Sequence, residues 1–81
     1  IYPQVLENVR VKDKLAARQD ADVQKAVEAV ANKLGDTGRI LVRESGTEPL
    51  LRVMVEAPED DTCRACVEEV VAVIKAKGHA I

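Results

Sequence analysis

The sequence predicts an α+β domain: an antiparallel sheet of three to four strands carrying two helices on one face, in the order β-α-β-β-α. Three observations predict it. Apolar residues alternate with polar ones near the N-terminus and again in two runs at the middle of the chain; a Gly- and Pro-bearing segment joins those two runs; and two later stretches repeat apolar residues at steps of three and four. Eighty-one residues allow one domain with a modest core.

The first strand spans Gln4 to Lys12, with Val5, Val9 and Val11 on one face and Leu6, Asn8, Arg10 and Lys12 on the other. Glu7 interrupts the apolar face, which suits an edge strand, and Pro3 is acceptable at its start. Asp13 to Asp20 has no apolar periodicity and reads as a charged loop, with room for a short extra strand around Leu15 to Ala17. From Ala21 the period becomes helical: Val23, Ala26, Val27, Val30, Ala31 and Leu34 share a face. Asp20 or Asp22 can cap this helix, and Gly35 suits the position that ends it.

Asp36-Thr37-Gly38 turns into a hairpin whose strands contain Ile40-Leu41-Val42 and Leu50 to Val55. Opposed residues in a hairpin must share a face, which favours Arg43 against Arg52, Val42 against Val53, Ile40 against Val55 and Arg39 against Glu56, with Gly46-Thr47-Glu48-Pro49 as the loop. The second strand ends at Ala57-Pro58. A last helix, capped by Asp61 or Thr62, places Cys63, Cys66, Val67, Val70, Val71 and Ile74 on its apolar face and stops before Gly78. Cys63-Arg64-Ala65-Cys66 lacks further metal ligands, so both cysteines are expected in the core. His79 is expected in a frayed tail.

Arg43 facing Arg52 is a like-charge pair and calls for something negative between them. Glu44 or Glu48 can supply it from within the chain. The alternative is a bound anion: Ser45 and Thr47 add hydroxyl donors, Gly46 frees the backbone to aim its N–H groups at one point, and Arg offers forked donors that match phosphate.

The segment Gly38-Arg39-Ile40-Leu41-Val42-Arg43-Glu44-Ser45-Gly46-Thr47-Glu48-Pro49, followed by Arg52-Val53-Met54-Val55-Glu56, resembles the phosphate-binding loop in the C-terminal domain of α-D-phosphohexomutases. Tyr2-Pro3-Gln4-Val5 and Asn8-Val9-Arg10-Val11 are similar to the strand that opens that domain. The Ser-Gly-Thr-Glu-Pro wording is most similar to the bacterial branch of the family that acts on glucosamine phosphate.

The resemblance implies a TATA-binding-protein-like domain, a fragment of a larger isomerase that moves a phosphoryl group between the 6- and 1-positions of a hexose through a phosphoserine and a bisphosphate intermediate. It implies that Arg43, Ser45, Gly46, Thr47 and Arg52 hold the substrate phosphate that is not being transferred, with Glu48 as a possible orienting residue. No catalytic residue and no metal ligand is expected in this chain; Mg²⁺ is expected in the full-length enzyme, on ligands elsewhere. Expected partners are the hexose phosphate and the other domains of the same chain, through a docking patch on the open sheet face. Siblings acting on mannose or glucose phosphates, and a free-standing anion-binding or interaction module, are the competing readings.

Composition narrows the classes further. A net charge of -2 gives no reason to expect nucleic-acid or membrane binding, and the absence of Phe and Trp disfavours base stacking. No signal peptide or transmembrane run is apparent, and two free thiols fit a reducing compartment, so the expected location is the cytoplasm.

Overall fold

The structure, a computed structural model, describes residues 2–81. Strand β1 (Gln4–Arg10) is followed by helices α1 (Lys14–Gln19) and α2 (Ala21–Leu34), a single 3₁₀ turn, strands β2 (Arg39–Glu44) and β3 (Leu50–Glu56), and helix α3 (Asp60–Ala76). The sheet order is β1-β3-β2 with both pairings antiparallel, so the hairpin's second strand lies at the centre.

The register follows from face sharing. Ile40 lies opposite Val55, Val42 opposite Val53, Arg43 opposite Arg52 and Arg39 opposite Glu56, as predicted. On the other flank Val5 meets Val55 and Val9 meets Leu51. This face is covered by α2 and α3, and Val23, Val30 and Leu34 join Cys63, Val67, Val70 and Ile74 in one buried cluster over Leu51, Val53 and Val55. Glu7 falls opposite Val53 yet remains exposed, which its edge strand allows. On the open face Leu6, Met54 and Leu41 form one apolar row across the three strands, and Leu6 is 58% exposed. The next row is Asn8, Arg52 and Arg43.

Gly38 opens β2 in an extended conformation (φ -167°). It is a glycine because of a close approach, since a Cβ there would collide with the Glu56 carbonyl. Gly35 ends α2 with φ 56°, a value glycine tolerates at no steric cost.

Three expectations are corrected. The stretch from Asp13 to Asp20 is a helix rather than a charged loop or extra strand, which gives β-α-α-β-β-α. Asp13 accepts from the Leu15 and Ala16 N–H groups and so caps α1, while Ala17, its one buried residue, joins the core. The sheet has three strands among the described residues, within the expected three to four, and Val11 forms an isolated bridge with Ala80. Helix α3 starts at Asp60 with Glu59 at the cap position and no side-chain cap bond, so neither Asp61 nor Thr62 caps it.

The third correction is the C-terminal tail, which is held. Lys12 N–H donates to the His79 carbonyl and Ile81 N–H to the Arg10 carbonyl. Asp20 ties the start of α2 to the C-terminal tail: Oδ1 accepts from the Asp22 and Val23 N–H groups and caps α2, and Oδ2 lies 2.7 Å from His79 Nε2. The His79 contact is the main reason that the Asp20 carboxyl sits below the usual carboxylate range. No helix is long and apolar enough to cross a membrane among the described residues.

Candidate anion site at the hairpin tip

The register that turns Val42 and Val53 to the helix side directs Arg43 and Arg52 to the open side, where both are exposed. A like-charge pair in direct opposition costs a fraction of a kcal/mol, about 0.2–1 for a typical cross-strand charge pair. Of the two carboxylates near enough in sequence to relieve it, Glu44 is held by another arginine and Glu48 is turned toward one. Glu44 Oε2 accepts from Arg18 Nε at 2.5 Å. Glu48 Oε2 lies 3.8 Å from Arg10 Nη2, a loose and exposed contact. Neither Arg43 nor Arg52 takes part in an ion pair among the described residues. Two forked guanidinium groups are therefore presented side by side with no carboxylate between them.

The loop beyond them is closed by its own backbone. Ser45 N–H donates to the Leu50 carbonyl at 3.0 Å, and Leu50 N–H to the Glu48 carbonyl at 2.8 Å. Ser45 is only 6% exposed, and its Oγ accepts from the Glu48 N–H at 3.3 Å. The hydroxyl thus braces the turn and keeps one proton to donate. Thr47 is exposed at the tip. Gly46 has no positive φ, and a Cβ on it would meet nothing within 4 Å. What the glycine provides is open space beside a backbone N–H, not an otherwise forbidden turn.

Of the residues singled out from the sequence, Arg43, Gly46, Thr47 and Arg52 lie exposed at the tip and Ser45 lies inside it. Glu48 is on the tip too, but the arginine it faces is Arg10. Sequence reasoning missed the other half of the arrangement. Lys14 and Arg18 of α1 both reach the hairpin, Lys14 Nζ donating to the Ser45 carbonyl at 2.6 Å and lying 3.4 Å from the Glu48 carbonyl. The signal that could have found them is Asp13, whose side chain begins a helix two residues after the first strand's apolar pattern ends.

A cleft of ≈ 340 Å³ between α2 and β2 is lined by Arg18, Val23, Gln24, Val27, Glu28 and Val42. It borders the helix side of the sheet, and neither Arg43 nor Arg52 lines it.

The described residues do not fit Mg²⁺. No three His, Cys, Asp or Glu side chains converge among them, and Mg²⁺ demands oxygen ligands in near-octahedral array. Cys63 and Cys66 are buried on the core face of α3, as the sequence predicted, and burial pushes the Cys66 thiol up, away from thiolate chemistry.

The sequence profile described as phosphoglucomutase/phosphomannomutase, C-terminal domain, matches residues 6–73. The phosphoglucosamine mutase of Lachnospira eligens is 64% identical over 81 residues, all of this chain and 18% of that protein. The phosphoglucosamine mutase of Lachnoclostridium phytofermentans is 54% identical over 79 residues, 98% of this chain and again 18% of the relative. The chain thus spans under a fifth of the curated relatives it matches. Among solved structures, an N-acetylglucosamine-phosphate mutase described as a member of the α-D-phosphohexomutase superfamily, in its substrate complex, superposes with TM-score 0.73 at 26% identity, over 90% of this chain and 15% of that one. The Aspergillus fumigatus N-acetylphosphoglucosamine mutase in complex with glucose 1,6-bisphosphate superposes with TM-score 0.80 over 98% of this chain and 16% of that one, at 20% identity, a likeness of fold. With a profile matched over most of its length and relatives more than half identical, the chain belongs to the phosphoglucomutase/phosphomannomutase C-terminal domain family.

Proposed function

We propose that the chain is the phosphate-anchoring domain of a phosphoglucosamine mutase, an isomerase that interconverts glucosamine 6-phosphate and glucosamine 1-phosphate. The observation that carries the reading is the pair Arg43 and Arg52, held in register at the hairpin tip with no ion-pair partner among the described residues, while Arg18 holds Glu44 and Glu48 lies nearest Arg10. The relatives named phosphoglucosamine mutase support the choice of sugar over the family's glucose- and mannose-phosphate siblings.

In this reading Arg43, Thr47, Arg52, the Gly46 N–H and the remaining Ser45 proton bind the phosphate at the non-reacting end of the sugar. Holding that end converts binding energy into placement of the other end, where transfer takes place. The bisphosphate intermediate must turn round between the two transfers, so the tip accepts the phosphate at either position. A site built from charge and forked donors at an open tip suits that demand, because it reads the phosphate and not the sugar.

The phosphoserine and the Mg²⁺ ligands belong to the remainder of the chain, and the whole is a cytoplasmic phosphoprotein of amino-sugar metabolism that supplies cell-wall precursors. One A. fumigatus neighbour is described in complex with GlcNAc-6P and magnesium. The open-face row Leu6, Met54 and Leu41 is the surface on which the domain meets the others.

The test is a product assay on the full-length protein. Glucosamine 6-phosphate is converted to glucosamine 1-phosphate with a higher kcat/KM than glucose or mannose 6-phosphate. A preference for either of the latter moves the assignment to a sibling activity, and no mutase turnover on any hexose phosphate overturns it.

A further inference from the structure

We infer that Lys14 is a positioning residue for the anion site, aiming the Gly46 N–H outward by holding the carbonyl on the other side of the same peptide. The inference rests on the reading of the tip as a phosphate site.

The geometry begins with one short contact. Lys14 Nζ donates to the Ser45 carbonyl at 2.6 Å across 31 residues of sequence, a charge-assisted bond in partly buried surroundings. The Ser45 carbonyl and the Gly46 N–H belong to one peptide plane. There are no cis peptides, so in this plane the two groups point in opposite directions. Fixing the carbonyl on Lys14 therefore fixes the N–H away from it. That N–H finds no acceptor among the described residues, and the space where a side chain would stand on Gly46 is open.

A second strut makes the first one rigid. Arg18, one turn further along α1, holds Glu44 on the residue that precedes Ser45, so α1 grips the loop at two consecutive residues. Lys14 also lies 3.4 Å from the Glu48 carbonyl at the far side of the turn. Glu48 is followed by Pro49, which has no N–H, so this second contact closes the loop without aiming a donor. The short connector helix is thus the frame that presents one backbone donor of the tip, and the ammonium adds positive charge behind it.

The experiment is hydrogen exchange by mass spectrometry on the full-length protein, read over residues 43–50 with and without inorganic phosphate. Phosphate slows exchange there in the parent protein. Lys14→Met speeds exchange of this segment without phosphate and raises the phosphate concentration for half protection about tenfold, as losing one charge-assisted bond would. Lys14→Arg restores most of both, and exchange in α3 stays as in the parent, which separates loosening of the loop from unfolding. Parent-like exchange in Lys14→Met overturns the inference, as does faster exchange with unchanged phosphate dependence, or weaker phosphate binding with unchanged exchange. Arg43→Ala tests the underlying reading separately: it abolishes phosphate protection while leaving the unliganded exchange unchanged. If phosphate fails to protect the segment even in the parent, the site reading falls and the inference with it.

Discussion

Arg43→Lys in the full-length protein lowers kcat/KM by about a hundredfold, the size of effect that a small misplacement of a remote binding group produces. Charge is kept, so a purely electrostatic surface role would leave the rate near normal. Lysine replaces a planar fork of donors by a single point charge, which attracts the phosphate without fixing its orientation. The melting temperature should not move, because Arg43 is exposed on the open face and has no ion-pair partner among the described residues. Steady-state kinetics beside thermal unfolding decides it. A near-normal kcat/KM would make Arg43 an ordinary surface residue. Unfolding of the variant would instead contradict the placement of its side chain on the free face.

Gly38→Ala has the largest expected effect on stability. The added methyl meets the Glu56 carbonyl, a backbone atom at the end of the central strand, and has Ala57 beside it. A flexible side chain could swing away, but here either β2 or β3 must move. Overpacking of this kind costs about 3 kcal/mol. For a domain this small that lowers Tm by roughly 12–24 °C. Gly46→Ala is the internal control, because nothing lies within 4 Å of its added methyl and its φ is not positive. Equal melting temperatures for the two variants would show that the β2–β3 approach is looser than the structure has it.

The contrast between these two glycines shows where sequence reading works. A loop glycine beside two arginines announces itself; a glycine needed because two strands converge is visible only once the register places Glu56 beside it. The register itself was legible, since face sharing favours the pairing of the hairpin that turns Val42, Val53 and Val55 to the helix side together. The connector was not. Lys14–Gln19 is under two turns long and buries only Ala17, too little apolar repeat for a helical period to emerge.

That omission hid the part of the site that matters most for its charge balance. With α1 unseen, Glu44 looked free to neutralise Arg43, whereas Arg18 holds it; and Lys14 looked like a solvated lysine in a charged run. The tail was misread for a similar reason. His79 lies beyond the last helical turn, where fraying is the default, but Asp20 reaches it from the start of α2, and that contact depends on tertiary structure alone.

The central claim is that the hairpin tip binds the substrate's phosphate, and titration of the 81-residue chain with inorganic phosphate, followed by backbone amide shifts, tests it most directly. The shifts should centre on residues 43 to 48, with Gly46 among the largest and Arg52 moving with them. Shifts centred on the N-terminus of α2 or α3, with the tip unmoved, would contradict the account.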